Sequence, residues 1–320
     1  MKINIFLTCF NESLILPSTI KHYKSLMPSC SITIYDNEST DNSIELAREL
    51  GCDIRTFSTG NNFDEQTLTS IRNMCWKNIS DGWIIVADMD EWLCITEEEL
   101  LQEVSNGTTI ITTRGLNMIG ESNMADLSDI TLSEITKCKD EVHYSKRACF
   151  FRTAIVDMNY TGGSHFCFPN GQIKYSLKSY IYKHMNYLGL PYLTEKYIRN
   201  FKRSANMRKN SSGVHYKEDV NEIKKLYLSY LNNSYEIDNI PNKNWTFIKG
   251  VDSNGYDIKC VGCLPVDELI KIAESTPGCV AFNTLGFLKS GSSLELNSSP
   301  WIRTYSYDGV YFLQTSKNLS

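Results

Sequence analysis

No apolar run in this 320-residue chain is long enough for a membrane-spanning helix. The first ten residues offer one lysine and a few apolar side chains before Asn11 and Glu12 interrupt, too little for the apolar core of a secretory signal. There is no basic block: 32 Lys and Arg stand against 37 Asp and Glu, a net charge of −5 that argues against nucleic acid as a partner. Nor is there a cysteine framework. The eleven cysteines are scattered and odd in number, which suits a reducing compartment better than a disulfide scaffold. Internal repeats are absent too. The expectation is a cytoplasmic chain with no membrane span, and its 42% hydrophobic and 22% charged residues are ordinary for a globular protein.

What is present is an alternation of strands and helices. Residues 3–9, 31–35, 53–57 and 83–89 read as strands, with helical patterns at 16–27, 42–50 and 64–78 between them. That rhythm predicts an α/β fold around a doubly wound, mostly parallel sheet. After Trp92 the rhythm loosens. Strands are expected at 109–113, 148–156 and 180–184, a polar loop with helical pieces at 120–141, and helices at 191–207 and 217–231. The Asn- and Pro-rich stretch 232–244 reads as a linker, dividing a main domain (1–231) from a small accessory module (245–320).

The run Ile84 to Trp92 ends an apolar strand in an acidic tip, Asp88-Met89-Asp90-Glu91. Side chains of a strand alternate, so Asp88 and Asp90 are expected on one side and Met89 on the other. Two carboxylates at the end of a buried strand repel unless a cation lies between them, and Mg²⁺ or Mn²⁺ would relieve the conflict. The carboxyl ends of strands in open α/β sheets are also where ligands bind. An acidic tip that merely faces water is the plainer alternative.

Other segments join this one in a recognisable order: Phe10-Asn11-Glu12 with Leu16-Pro17, Tyr35-Asp36 through Asp41, Arg72-Asn73 with Trp76-Lys77, Asp88-Met89-Asp90-Glu91-Trp92, Gly162-Gly163-Ser164-His165, and Lys183-His184. Together they make the N-terminal two thirds of the chain resemble family 2-like glycosyltransferases of the GT-A fold, in a branch with an Asp-x-Asp-Glu-aromatic motif. The resemblance implies a nucleotide-sugar donor (UDP- or GDP-linked), a glycan or other hydroxyl acceptor, and Mn²⁺ or Mg²⁺ as cofactor. It implies Asn11, Glu12, Asp36, Arg72, Asn73 and Asp88 around the donor, and Asp88, Asp90 and His184 at the metal. Asp36 would lie by the base or ribose, as the end of the second strand at the switch point of the sheet. Asp36 can equally start a turn, and Asn11-Glu12 can cap the following helix.

Family members usually present an acidic base after a glycine-rich loop. Thr161-Gly162-Gly163-Ser164-His165 has no acidic pair there, so His165 is the candidate base, with Asp157 and Asp126 as fallbacks. A nucleotidyltransferase of similar fold is the competing enzyme reading, weakened by the lack of a Gly-rich, Lys/Arg-bearing loop after the first strand. A catalytically silent glycan-binding protein is the non-enzymatic one. The tail loosely resembles PAN/apple-like modules. Cys260 and Cys263 lack the further ligands of a closed zinc site, and Asp252, Asn254 and Asp257 fall short of a calcium loop.

Overall fold

Ile84, Ile85, Val86 and Ala87 are buried on both faces of a central sheet, as their unbroken apolar run requires. The structure is a computed structural model that describes residues 1–209, 216–237, 245–249, 252–253, 257–264, 266–290, 296–297 and 309–313. Its N-terminal third runs β1 (Ile3–Cys9), α1 (Leu16–Leu26), β2 (Ser31–Asp36), α2 (Ser43–Glu49), β3 (Asp53–Thr56), α3 (Glu65–Met74), β4 (Trp83–Asp88), β5 (Glu91–Cys94) and α4 (Glu97–Ser105). There follow β6 (Ile110–Ser122), β7 (Lys137–Asp140), β8 (Cys149–Phe151), β9 (Ile155–Asp157), β10 (Asn170–Gly171), β11 (Tyr175–Gly189), α5 (Leu190–Arg203), α6 (Ala205–Lys209), α7 (Val220–Asn232) and β12 (Tyr235–Glu236).

The main sheet is ordered β12-β7-β6-β8-β4-β1-β2-β3, with β11 paired to β6 and β5. Strands β3, β2, β1 and β4 are mutually parallel, and β8 joins β4 antiparallel. The α/β class expected from the alternation is the one found. The chain moves outward from β1 to β3 and then returns to place β4 on the other side of β1. The switch point therefore lies between β1 and β4, where Thr8 pairs with Asp88. This corrects the expected location at the end of β2 beside Asp36. A core of Ile, Leu and Trp side chains, among them Ile5, Leu7, Trp83 and Ile85, packs α1 and α4 against the sheet.

Three other expectations shift. The strand ends at Asp88 and not at residue 89; Met89 and Asp90 form a turn into β5, so strand alternation does not place Asp90. The helix expected over 191–207 is broken at Ser204 into α5 and α6. Tyr235 and Glu236, expected in a linker, pair with Cys138 and Lys137 as the edge strand of the main sheet. Asn232, also expected in the linker, ends α7, and residues 238–244 lie outside the described residues, as does Asn254 of the acidic turn.

The C-terminal region contributes β13 (Trp245–Lys249), β14 (Asp252–Ser253), β15 (Asp257–Cys260), α8 (Val266–Ser275), β16 (Ala281–Asn283), β17 (Phe287–Lys289), β18 (Leu296–Asn297) and β19 (Gly309–Leu313). Five of these strands form an antiparallel sheet, β13-β19-β16-β17-β15. Leu269, Ile270 and Ala273 of α8 pack there on Phe282 and Leu288. All eleven cysteines are free thiols.

Candidate active site

The parallel pairing of β1 and β4 brings the segment Thr8–Phe10 beside the acidic tip, and together they floor a cavity of about 200 Å³. Helix α3, the loop around Tyr144 and Lys146, the glycine-rich turn, the middle of β11 and helix α5 supply its walls. Asp88, Asp90, Glu12, Arg72, His165 and His184 all face it.

Each carboxylate at the tip already has cations. Asp88 Oδ1 accepts from Arg72 Nη2 at 2.8 Å and from Thr8 Oγ1 at 2.5 Å, while Lys146 Nζ lies 3.7 Å from Oδ2. Burial alone would raise the Asp88 pKa; Arg72, then Lys146, outweigh it and bring it down to about 2. Asp90 Oδ2 accepts from Lys196 Nζ at 2.6 Å and lies 3.3 Å from His184 Nε2. Those two neighbours hold the Asp90 carboxyl well below its usual range despite burial. In return, burial alone would lower the Lys196 pKa, but Asp90, with Tyr192 and Glu12, outweighs it and raises it.

Glu91, the third acid of the motif, is 1% exposed and does not stand free. It pairs with Lys146, accepts from Tyr182 Oη at 2.8 Å, and takes the Asp88 backbone N–H at 3.1 Å. A buried carboxylate with three such partners is a brace that fixes the turn.

His184 is buried, with its ring stacked on Tyr144 at 3.8 Å between centroids. Its Nδ1 meets Asn117 Oδ1 at 2.7 Å and must carry the proton there, which leaves Nε2 directed at Asp90. A ligating histidine with its second nitrogen held by an oxygen has this arrangement, so Asp90 and His184 fit a divalent ion. Asp88 fits less directly because Arg72 and Thr8 take one of its oxygens. Among the described residues, no group of three or more His, Cys, Asp or Glu side chains is placed to hold an ion together.

The glycine-rich turn puts His165 on the cavity wall. Its Nδ1 meets His143 O at 2.8 Å, so Nδ1 donates and Nε2 is left with a lone pair. Burial, helped by Lys146, lowers its pKa to about 4, and the ring is neutral at pH 7. Gly163 (φ 65°) makes room for it: a Cβ there would come within 2.5 Å of His165 Cδ2. The turn is tied to α3 by Gly163 N–H on Glu65 Oε1 at 2.5 Å, the carboxylate that also receives Arg72 Nη1.

The remaining expected site residues divide. Arg72 is buried and reaches the cavity, but the side chain of Asn73, its neighbour, is spent on the Tyr160 backbone in both directions. Asp36 is 2% exposed and off the cavity wall; Oδ2 accepts Ser39 N–H in a turn, and Oδ1 has no partner. Asn37 lines the cavity in its place. Asn11 ties the first loop to the third by its side chain on Thr40 and lines a second, outer groove. The Glu12 carbonyl caps α1 through Ile15 and Leu16, while its carboxylate faces the cavity and pairs with Arg199 at 3.2 Å. Burial raises the Glu12 pKa, partly offset by Lys196 and Arg199. Neither fallback base reaches the cavity: Asp157 pairs with Lys77, and Asp126 closes an exposed turn on Ser128.

Sequence reasoning missed Lys146, Lys196, Arg199 and Arg203. The last three lie at i, i+3 and i+7 of α5, a basic stripe that helical spacing makes visible. Lys146 carries no such signal.

No protein-family model matches the chain. Over 101 residues it is 33% identical to "Putative glycosyltransferase R655" of Acanthamoeba polyphaga mimivirus, covering 31% of this chain and 29% of that protein. Over 54 residues it is 30% identical to Protein RfbJ of Shigella flexneri, covering 17% of this chain and 42% of that one. The chain thus spans less than half the length of these curated relatives. Among solved structures it is similar to S. aureus TarS residues 1–349, with 12% identity, 72% of this chain and 71% of that chain covered, and a TM-score of 0.35. It is also similar to the mannosyltransferase PcManGT from Pyrobaculum calidifontis, with 7% identity, 35% and 34% covered, and a TM-score of 0.28.

Proposed function

We propose that the protein is a divalent-metal-dependent glycosyltransferase. It moves a sugar from a UDP- or GDP-sugar to an acceptor hydroxyl, with inversion, in cytoplasmic glycan biosynthesis. One observation carries the reading: His184 Nε2 and Asp90 Oδ2 face each other at 3.3 Å at the carboxyl end of β4, beside the switch point of the sheet. The mimivirus relative named as a glycosyltransferase supports it over the residues it shares.

Asp90 and His184 would hold the metal, with Asp88 contributing directly or through water. A bound Mn²⁺ or Mg²⁺ would offset the charge that develops on the departing nucleoside diphosphate. Arg72 and Lys146 fix the Asp88 carboxylate and add positive potential to the same wall. Asn11 and Glu12 shape the loop over the nucleotide. His165 accepts the proton of the acceptor hydroxyl at Nε2, the nitrogen its bond to His143 O leaves available. The C-terminal sheet, with α8 against it, packs as an accessory module.

The test is Asp90→Asn assayed with UDP- and GDP-sugars and Mn²⁺. Transfer should be abolished while the fold is retained, and the wild type should release nucleoside diphosphate. Wild-type turnover in the variant would sink the metal role. Release of pyrophosphate would point instead to nucleotidyl transfer.

A further inference from the structure

The basic stripe on α5 is spent unevenly. Lys196 is paired with Asp90, and Arg199 gives Nη1 to Asn11 O at 2.8 Å and Nη2 to Glu12. Arg203, at the end of the helix, is 8% exposed and has no carboxylate in ion-pair contact among the described residues. Its Nε has no hydrogen-bond partner, and Nη2 reaches only Asn62 O at 3.3 Å. The guanidinium lies 3.3 Å from the centre of the Phe10 ring. Burial, then the nearby Arg199, pull its pKa down to about 10, the mark of a cation short of negative charge.

Burying a cation is unfavourable unless hydrogen bonds and an opposite charge compensate it. Arg203 has a ring face and one carbonyl beside it but no carboxylate in ion-pair contact among the described residues, so an anion would complete its surroundings. Arg203 also occupies a particular place: it lines both the inner cavity with Asp88 and Asp90 and the outer groove of about 690 Å³ walled by Asn11, Asn37, Glu38 and Thr40. A ligand that spans both spaces passes over Arg203, and a negative charge carried at the junction would meet its guanidinium.

We infer that Arg203 binds a phosphate oxygen of the nucleoside diphosphate, with Phe10 holding the guanidinium flat beneath it. The inference rests on the glycosyltransferase reading of the same cavity and adds to it a phosphate-binding residue from the helix opposite the acidic tip. A guanidinium offers paired donors to phosphate that an ammonium lacks.

The experiment compares wild type, Arg203→Lys and Arg203→Met for binding of UDP, GDP and inorganic pyrophosphate by calorimetry with Mn²⁺ present, alongside the melting temperature of each protein without ligand. Arg203→Met should bind pyrophosphate and the tighter nucleotide roughly 10- to 100-fold more weakly, with Arg203→Lys between it and the wild type. Its melting temperature should hold or rise, because the variant removes an uncompensated buried charge. Unchanged affinity in Arg203→Met overturns the inference and leaves the transferase reading standing. A loss of affinity accompanied by a lower melting temperature assigns Arg203 a structural role and also overturns it. A wild type that binds neither nucleotide nor pyrophosphate sinks both proposals.

Discussion

Lys196 Nζ sits 2.6 Å from Asp90 Oδ2, the same carboxylate oxygen that His184 Nε2 approaches at 3.3 Å. The repulsion between Asp88 and Asp90 inferred from the sequence is therefore relieved by resident cations: Lys196 on one acid, Arg72 and Lys146 on the other. A divalent ion on Asp90 must share that oxygen with an ammonium or move it aside, since two cations a few ångströms apart in a buried site repel strongly.

Replacing Lys196 with Met tests that competition. Breaking a buried pair typically costs about 3–5 kcal/mol, so urea unfolding should show a large loss of stability. Mn²⁺ alone, without nucleotide, should then raise the melting temperature of the variant more than that of the wild type, because the ion refills the vacated position. An equal or smaller response would mean that Asp90 is not where the ion binds.

Acid stability should report on Arg72. The folded-state pKa of Asp88, about 2, lies below its ordinary value of 3.8. A depressed carboxylate contributes stability that is present above pH 3.8 and is lost as the pH falls towards 2. The stability gap between wild type and Arg72→Met should thus be widest near neutrality and narrow between pH 4 and 2. A gap that is flat across this window would assign the Arg72 contribution to packing instead.

His165 makes a kinetic prediction. If its Nε2 takes the acceptor proton, His165→Gln should lower kcat by about 10²- to 10⁴-fold with donor affinity unchanged. With a pKa of about 4, the ring stays neutral well below the ordinary histidine range. The pH profile of kcat/KM should therefore show no histidine limb near 6.5 and fall only as pH 4 is approached. A variant with wild-type kcat would remove His165 from the chemistry.

How far the sequence could be read varies by element. Strand β4 was legible because burial on both faces demands continuous apolar side chains, and the helix–strand alternation gave the α/β class for the same reason. Asp90 faces the cavity for a reason other than strand alternation: the strand stops at Asp88, and a turn braced by Glu91 turns Asp90 into the cavity. The expected role of Asp36 depended on strand order. Local patterns cannot give that order, because pairing of β1 with β4 joins residues some 80 positions apart.

Composition, periodicity and the order of short motifs were enough to determine the fold class, the acidic tip and the candidacy of His165 and His184. Each of those signals is local, set by how neighbouring side chains must be buried or exposed. The cations that meet the acids were decided by tertiary structure alone. Lys146 reaches Glu91 from a loop, and Lys196 and Arg199, which meet Asp90 and Glu12, come from a helix about a hundred residues beyond Asp90. Charge compensation acts through space, so no spacing along the chain marks which lysine will answer which carboxylate.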